Sequence, residues 1–442
     1  MFGAIKISKA DPTPLYIQLA NELIRLIESG VLPTQTKLPT IRTLSSKLKI
    51  NRDTVVNAYK LLESKNYVIA HIGSGTYVSP QRASAPKKEN SPMPCSKIYF
   101  PKELFDINMC KDILMDILDT EEWSAFIDPL NRERQLLRQS IADFLKSVGV
   151  NAYPAHTRLI QDVPNFLLEL IKLSPKSTIC VEAYRDISYT STLSYLGFKI
   201  LETPVTKDGL DLRVLESQLK SQSVSYVIIT PYIQNPTGIC YSDANKKAII
   251  ALCEKYDCMI IEDGTFTDFV YEDIKISPCY NSSDRVIYLY NFCKLYLPHL
   301  DYSFVVLPDA LNKRIIDNIQ CMLPERLIRY YVESDFFWDL RQTLIESSYQ
   351  KYSSILSILK EVEQDLDVLS IPYISQNGLF FWIKSEQEIY QALLKRNIIV
   401  SPSNLFSSSN SNNYFRLSIA PLSDNELGEL SNTLESLYNK KR

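Results

Sequence analysis

Residues 37–78 read KLPTIRTLSSKLKINRDTVVNAYKLLESKNYVIAHIGSGTYV, and the apolar periodicity changes twice within them. The first part predicts a short helix with Ile41, Leu44 and Leu48 turned inward and Leu38 just ahead of it. After a turn at Ile50 and Asn51, RDTVVNAYKLLESKN predicts a second helix with Val55, Ala58, Tyr59 and Leu62 on its apolar face. Arg52, Asp53, Thr54 and Asn57 are left on the opposite side, near its start. The stretch YVIAHIGSGTYVSP then alternates apolar residues around Gly73, Ser74 and Gly75, as two strands joined by a tight turn do. Upstream, PLYIQLANELIRLIESG places Leu15, Leu19, Leu23 and Leu26 on one helical face and stops at Gly30. Three helices followed by a β-wing make an α+β winged helix-turn-helix, whose second helix lays its first turn in the major groove of DNA. Arg52, Thr54 and Asn57 stand where base edges and phosphates come within reach, Arg42 where it can hold the backbone. The wing glycines let backbone N–H groups come close to the duplex.

The rest of the composition fits that reading. The chain has 442 residues, 45% hydrophobic and 22% charged, enough to build a large core in two or three domains. Neither a signal-peptide pattern at the start nor an uncharged run of 18 apolar residues occurs, so a soluble, cytoplasmic protein is expected. Nine cysteines are scattered without paired Cys-x-x-Cys clusters, and three histidines cannot complete a zinc site. Buried, reduced thiols and no metal are expected. The net charge of −3 is uneven: up to Val78, ten basic residues face five acidic ones, leaving about −8 for the remainder. A basic first segment on an acidic body suits one module that meets phosphates and another that does not.

From residue 80 to 98 the chain is rich in Pro, Ser, Ala and charge, which predicts a linker between a DNA-binding domain over 1–79 and a second domain over 99–442. In the second domain, short apolar runs such as STICVEAY, SYVIITPY, CMIIEDG and RVIYLY alternate with helical patterns. That order predicts an α/β domain with a mostly parallel sheet covered on both faces. The end, with QNGLFFWIKS, IIVSP and NYFRLSIA around a helical SEQEIYQALLKRN, predicts a small C-terminal α+β lobe.

The stretch 37–78 closely resembles the winged-helix domain of the GntR family, in which the residues matching Arg42, Arg52, Thr54 and Gly73 touch DNA. The second domain resembles fold-type I aminotransferases, the partner domain of the MocR (GabR-like) branch of GntR regulators. FIDPLNRERQLLRQSIADFLKSVGV, QNPTG, IIEDG, NFCKLYLP and YFRLSIA carry that resemblance, in that order. It implies a pyridoxal phosphate (PLP) site in which Lys294 forms the Schiff base, Asp263 holds the pyridine nitrogen protonated and Asn235 bonds the ring hydroxyl. It further implies that Arg416 clamps a ligand carboxylate, and that the chain forms a head-to-tail homodimer.

Departures gather at the phosphate end. Asp162, Val163, Pro164 and Asn165 replace a Ser-Gly-Ala-Gln turn, Asn291 replaces a serine and Asp301 an arginine. Phe126 replaces a tyrosine that reaches the partner's phosphate, and Thr265 stands near another expected tyrosine. Asp186 falls where a ring-stacking aromatic is expected, with Tyr184 and Tyr189 close by. The expectation is a DNA-binding regulator whose second domain dimerises and senses a small molecule, with PLP binding weakened or lost and no catalysis. A second domain that only dimerises, a PLP-dependent aminotransferase, a regulator still holding PLP at Lys294 and a winged helix used for protein contacts stay open as alternatives.

Overall fold

The computed structural model describes residues 14–28, 31–33, 35–65, 67–71, 75–79, 92–126, 131–174, 178–185, 187–195, 197–271, 274–298, 300–315, 323–365, 369–373, 375, 377–385, 387–407 and 413–439. The chain divides into two compact units, 1–91 and 92–442.

In the first unit, helices Leu15–Glu28, Ile41–Leu48 and Arg52–Ser64 precede antiparallel strands Val68–His71 and Gly75–Val78. Local chemistry sets the turn between the second and third helices. Thr40 Oγ1 accepts the N–H of Thr43 at the start of one, and Lys49 ends it in a left-handed conformation (φ 52°). Asn51 then caps the next through Asp53 N. Leu19, Leu23, Leu44, Val55, Ala58 and Leu62 are fully buried in the shared core. The Tyr59 hydroxyl donates to Pro39 O at 2.7 Å and ties the third helix to the entry of the second. Ile41 does not point inward as its spacing predicts. It begins its helix 37% exposed, while Leu38 and Leu44 supply the buried contacts.

The second unit is built on a seven-stranded sheet in the order Thr157–Gln161, Tyr302–Val306, Val286–Tyr290, Met259–Asp263, Val224–Ile229, Thr178–Glu182, Lys199–Thr203. Tyr302–Val306 runs antiparallel to both of its neighbours, and the remaining pairs are parallel. Strands 178–182, 224–229, 286–290 and 302–306 are buried at every position, as a sheet covered on both faces requires. The parallel ladders bring the carboxyl ends of the central strands to one edge, where ligands bind in sheets of this kind. Helix Asp335–Asp365 leads into a small lobe with a four-stranded antiparallel sheet, Leu369–Ser370, Phe380–Ser385, Tyr414–Ser418 and Ser401–Pro402.

Residues 92–98, expected to belong to the linker, pack on this lobe instead. Met93 pairs with Ile398, Cys95 O accepts from Ser418 N, and both side chains are buried in the lobe's core. Two apolar residues within a polar stretch are enough to anchor it. Residues 80–91 lie outside the described residues. Cys95, Cys180, Cys253, Cys258, Cys279 and Cys293 are buried free thiols, and Cys110 and Cys240 are half-buried ones. Among the described residues, no helix is long and apolar enough to cross a membrane.

Glu262, within strand 259–263, is fully buried and accepts the N–H groups of Cys279 and Tyr280, both at 2.9 Å. Burial pushes its carboxyl up to about 7 against the opposing pull of those two donors. Between its unfolded value of 4.5 and about 7, the native chain therefore holds more protons at this site than the unfolded chain. The stability it contributes is complete below the unfolded value and is lost as pH rises through 7. Glu262→Gln keeps an acceptor and removes the titration. Its melting temperature should gain on that of the wild type as pH goes from about 5 to about 8. A gap that stays constant over that range would refute the assignment.

Candidate DNA interface and large-domain cavity

At the start of helix Arg52–Ser64, Arg52 and Asn57 are exposed and Thr54 is half-buried. Val55, Ala58 and Leu62 pin the opposite face to the core, so this polar face is turned to solvent. Arg42, on the preceding helix, is also exposed. Gly75 opens the second wing strand with φ 116°, a conformation that side chains resist. A Cβ there would come within 2.8 Å of Lys37 Cε. Lys37 thus lies across the wing, bridged to Tyr77, with its ammonium 5.5 Å from that ring. Sequence reasoning had counted Lys37 only as charge, because its pairing with Tyr77 is long-range. Gly73 and Ser74 lie outside the described residues.

In the second unit a cavity of about 370 Å³ opens at the carboxyl ends of the strands. Lys294, Asp263 and Asn235 all line it, with Thr265, Asn291, Asp162, Val163, Pro164 and Asp301. Residues scattered over 140 positions are therefore brought together. Asp263 ends its strand and accepts from the N–H (2.9 Å) and hydroxyl (2.5 Å) of Thr265. The Thr265 hydroxyl in turn accepts from Asn291 N, and Asn291 Oδ1 caps the short helix Phe292–Tyr296 through Lys294 N. Three consecutive contacts thus fix Lys294 relative to Asp263, and Asn291, read as a departure, serves as a helix cap. The Lys294 amine stands 5.4 Å over the ring of Phe266, an aromatic that sequence reasoning missed and that carries no hydroxyl.

A buried carboxylate shapes the wall beside Asn235. Glu182 accepts from Thr230 N (2.7 Å), Gln234 Nε2 (2.9 Å) and the Tyr241 hydroxyl (2.6 Å). Gln234 Oε1 accepts in turn from Thr237 N and Oγ1. Burial raises the Glu182 carboxyl above its ordinary value, and these three donors oppose the rise. Arg185, two residues beyond Ala183, also lines the cavity and was missed. It is paired with Glu202 at 2.9 Å and donates to Glu182 O.

At one corner the backbone N–H of Asp162 donates to Asp301 O at 3.3 Å, so the two aspartates are neighbours. The Asp162 carboxylate caps its own helix Val163–Lys172, accepting from Asn165 N and from Asn165 Nδ2 at 2.6 Å. Pro164 occupies the second helical position, which therefore has no N–H to offer. Among the described residues, Asp162, Asp263 and Asp301 form no ion pair.

Arg416 is beside the cavity but is not one of its lining residues. Its guanidinium donates to Asn235 Oδ1 (2.7 Å), Ser96 O (2.6 Å) and, more distantly, Ser401 Oγ (3.4 Å). Phe126 is 60% exposed and meets Trp123 edge-on. Tyr184 packs on Trp382 and Tyr414 in the small lobe instead of lining the cavity. Asp186 and the side chain of Tyr189 lie outside the described residues.

Residues 15–78 match the family "Bacterial regulatory proteins, gntR family", and residues 126–294 match "Aminotransferase class I and II". YdcR of Escherichia coli, described as an uncharacterized HTH-type transcriptional regulator, is 25% identical over 92% of this chain and 95% of its own length. The HTH-type pyridoxine biosynthesis transcriptional regulator PdxR of Corynebacterium glutamicum is 25% identical over 69% of this chain and 68% of its own length. Among solved structures, an archaeal alanine:glyoxylate aminotransferase aligns with a TM-score of 0.67 at 20% identity, covering 80% of this chain and 93% of that one. The winged helix thus precedes a domain with the fold of aminotransferases, in a chain whose relatives are transcription regulators. The chain joins a region matching the gntR family of bacterial regulatory proteins to one matching aminotransferase class I and II, the combination by which it resembles the MocR branch of GntR regulators.

Proposed function

We propose that the winged helix reads an operator through Arg52, Thr54 and Asn57, with Arg42, Gly73, Ser74 and Gly75 against the backbone, in a protein acting as a homodimer. The domains are a DNA-binding module over 1–79 and an effector and dimerisation module that begins at Pro92, where the expected linker already packs on the small lobe. The cavity of the second module takes a small molecule and does not catalyse transamination. Binding there biases the spacing of the two winged helices in the dimer.

What carries the non-catalytic reading is the corner formed by Asp162, Pro164 and Asp301. The ring end of the cavity fits PLP, because Lys294, Asp263 and Asn235 line one space. The phosphate end does not fit. A helix N-terminus binds phosphate with unengaged N–H groups, and here the helix's own Asp162 carboxylate takes that place while Pro164 removes a donor. Two unit charges about 4 Å apart interact by roughly 4 kcal/mol at an effective dielectric near 20, so an aspartate in place of an arginine reverses a contribution of that order. Arg416, engaged with Asn235 and Ser96, is already held by the protein. A regulator that still binds PLP at Lys294 is the second reading, and the shared lining of Lys294, Asp263 and Asn235 favours it.

Two measurements test this function. Arg52→Ala should weaken operator binding by about 1–3 kcal/mol in a gel-shift assay while the melting temperature stays unchanged. Unaltered affinity would displace the recognition surface from this helix. When micromolar PLP is added to the purified protein, no Lys294-dependent visible absorbance band should develop. A band that is abolished by Lys294→Ala would establish the second reading.

A further inference from the structure

The misfit at the phosphate corner says what the cavity does accept. On the reading that this cavity holds an effector, we infer that the effector is a small organic cation, with a protonated amine at Asp162 and Asp301 and an apolar body on the cavity floor. Three carboxylates line the space, Asp162, Asp263 and Asp301, against the cations Lys294 and Arg185. Arg185 is already neutralised by Glu202 at 2.9 Å. The cavity is therefore negative, and among the described residues none of its three carboxylates has a lysine or arginine partner. Asp301 is exposed and Asp162 and Asp263 are half-buried, so these carboxylates stay charged, and the excess of negative charge in the cleft raises the local concentration of cations.

The rest of the lining narrows the class. Leu167, Ile228, Ile261 and Leu289, with Val163 and Pro164, form an apolar surface next to the acidic corner. A bare metal ion would gain nothing from it, and no group of His, Cys, Asp and Glu among the described residues is arranged to hold a metal. An amine with an aliphatic or aromatic body uses both surfaces. Thr230, Asn235 and Asn291 leave hydrogen-bonding groups for a polar substituent elsewhere on the molecule. At about 370 Å³ the cavity has the size of a small-metabolite site.

The backbone allows a clean test. Asp162 and Asp301 both adopt left-handed conformations, φ 65° and 55°. Asparagine tolerates that region as well as aspartate and also caps helices, so Asp162→Asn and Asp301→Asn remove charge while leaving the local structure intact. The full-length protein is titrated calorimetrically and by thermal shift with hexylamine, phenethylamine and putrescine. Each amine is matched with its alcohol, and pyridoxal, PLP and inorganic phosphate complete the panel. At least one amine should bind about tenfold or more tightly than its alcohol, and each Asn variant should lose about fivefold or more of that preference. Pyridoxal should bind at least as tightly as PLP.

PLP binding more tightly than pyridoxal and than every amine would overturn the cation assignment while leaving a ligand-responsive regulator standing. An amine preference that survives in both Asn variants would also overturn it. If nothing in the panel binds, both the cation assignment and the sensing role fall, and operator binding in a gel shift is untouched. An amine that binds through Asp162 and Asp301 without changing operator affinity supports the site and overturns its role as a sensor.

Discussion

The carboxylate of Glu182 holds the cavity edge together. It sits at the end of one central strand and receives donors from the end of the next strand, from Gln234 and from Tyr241. Without it the Tyr241 hydroxyl would be a buried orphan, at about 1–3 kcal/mol, whereas Gln234 Nε2 would keep Tyr184 O and Asn235 O. Gln234 then fixes Thr237, so the segment carrying Asn235 has little freedom. Asn235 in turn receives Arg416 from the small lobe. A single acid therefore sets the relation between two strand ends, the Asn235 turn and the lobe that packs over it.

The contacts between Asp263, Thr265, Asn291 and Lys294 act in the same way on the facing wall. Together the two networks fix the cavity walls that carry Lys294, Asp263 and Asn235. At the Asp162 corner, helix Val163–Lys172 is closed by its own side chain.

Much of this was legible in the sequence. Val55, Ala58 and Leu62 announce a buried helix face by spacing alone, and the runs around Cys180, Ile228 and Ile261 announce buried strands. Ile41 misled because periodicity cannot tell the first residue of a helix from its middle. Met93 and Cys95 misled because two apolar residues in a polar stretch fall below any compositional signal, yet they pair with Ile398 and Ser418 hundreds of positions away. Lys37, Arg185 and Phe266 were missed for a related reason. Nothing local distinguishes a surface lysine from one crossing a wing, or an arginine after a strand from one lining a cavity. The use of Arg416 on Asn235 and Ser96 is likewise a property of the assembled lobes, not of the YFRLSIA pattern.

The left-handed backbones at Asp162 and Asp301 bear on how this site changes over generations. Outside glycine, asparagine and aspartate visit that region at the smallest cost, and other side chains, Lys49 among them, meet roughly 1–2 kcal/mol of steric opposition. An arginine placed at position 301 would have to overcome that strain before gaining anything from an anion. Where the backbone decides, substitutions at these two positions are therefore cheapest when they exchange acid for amide or glycine, and any other side chain there has strain set against it.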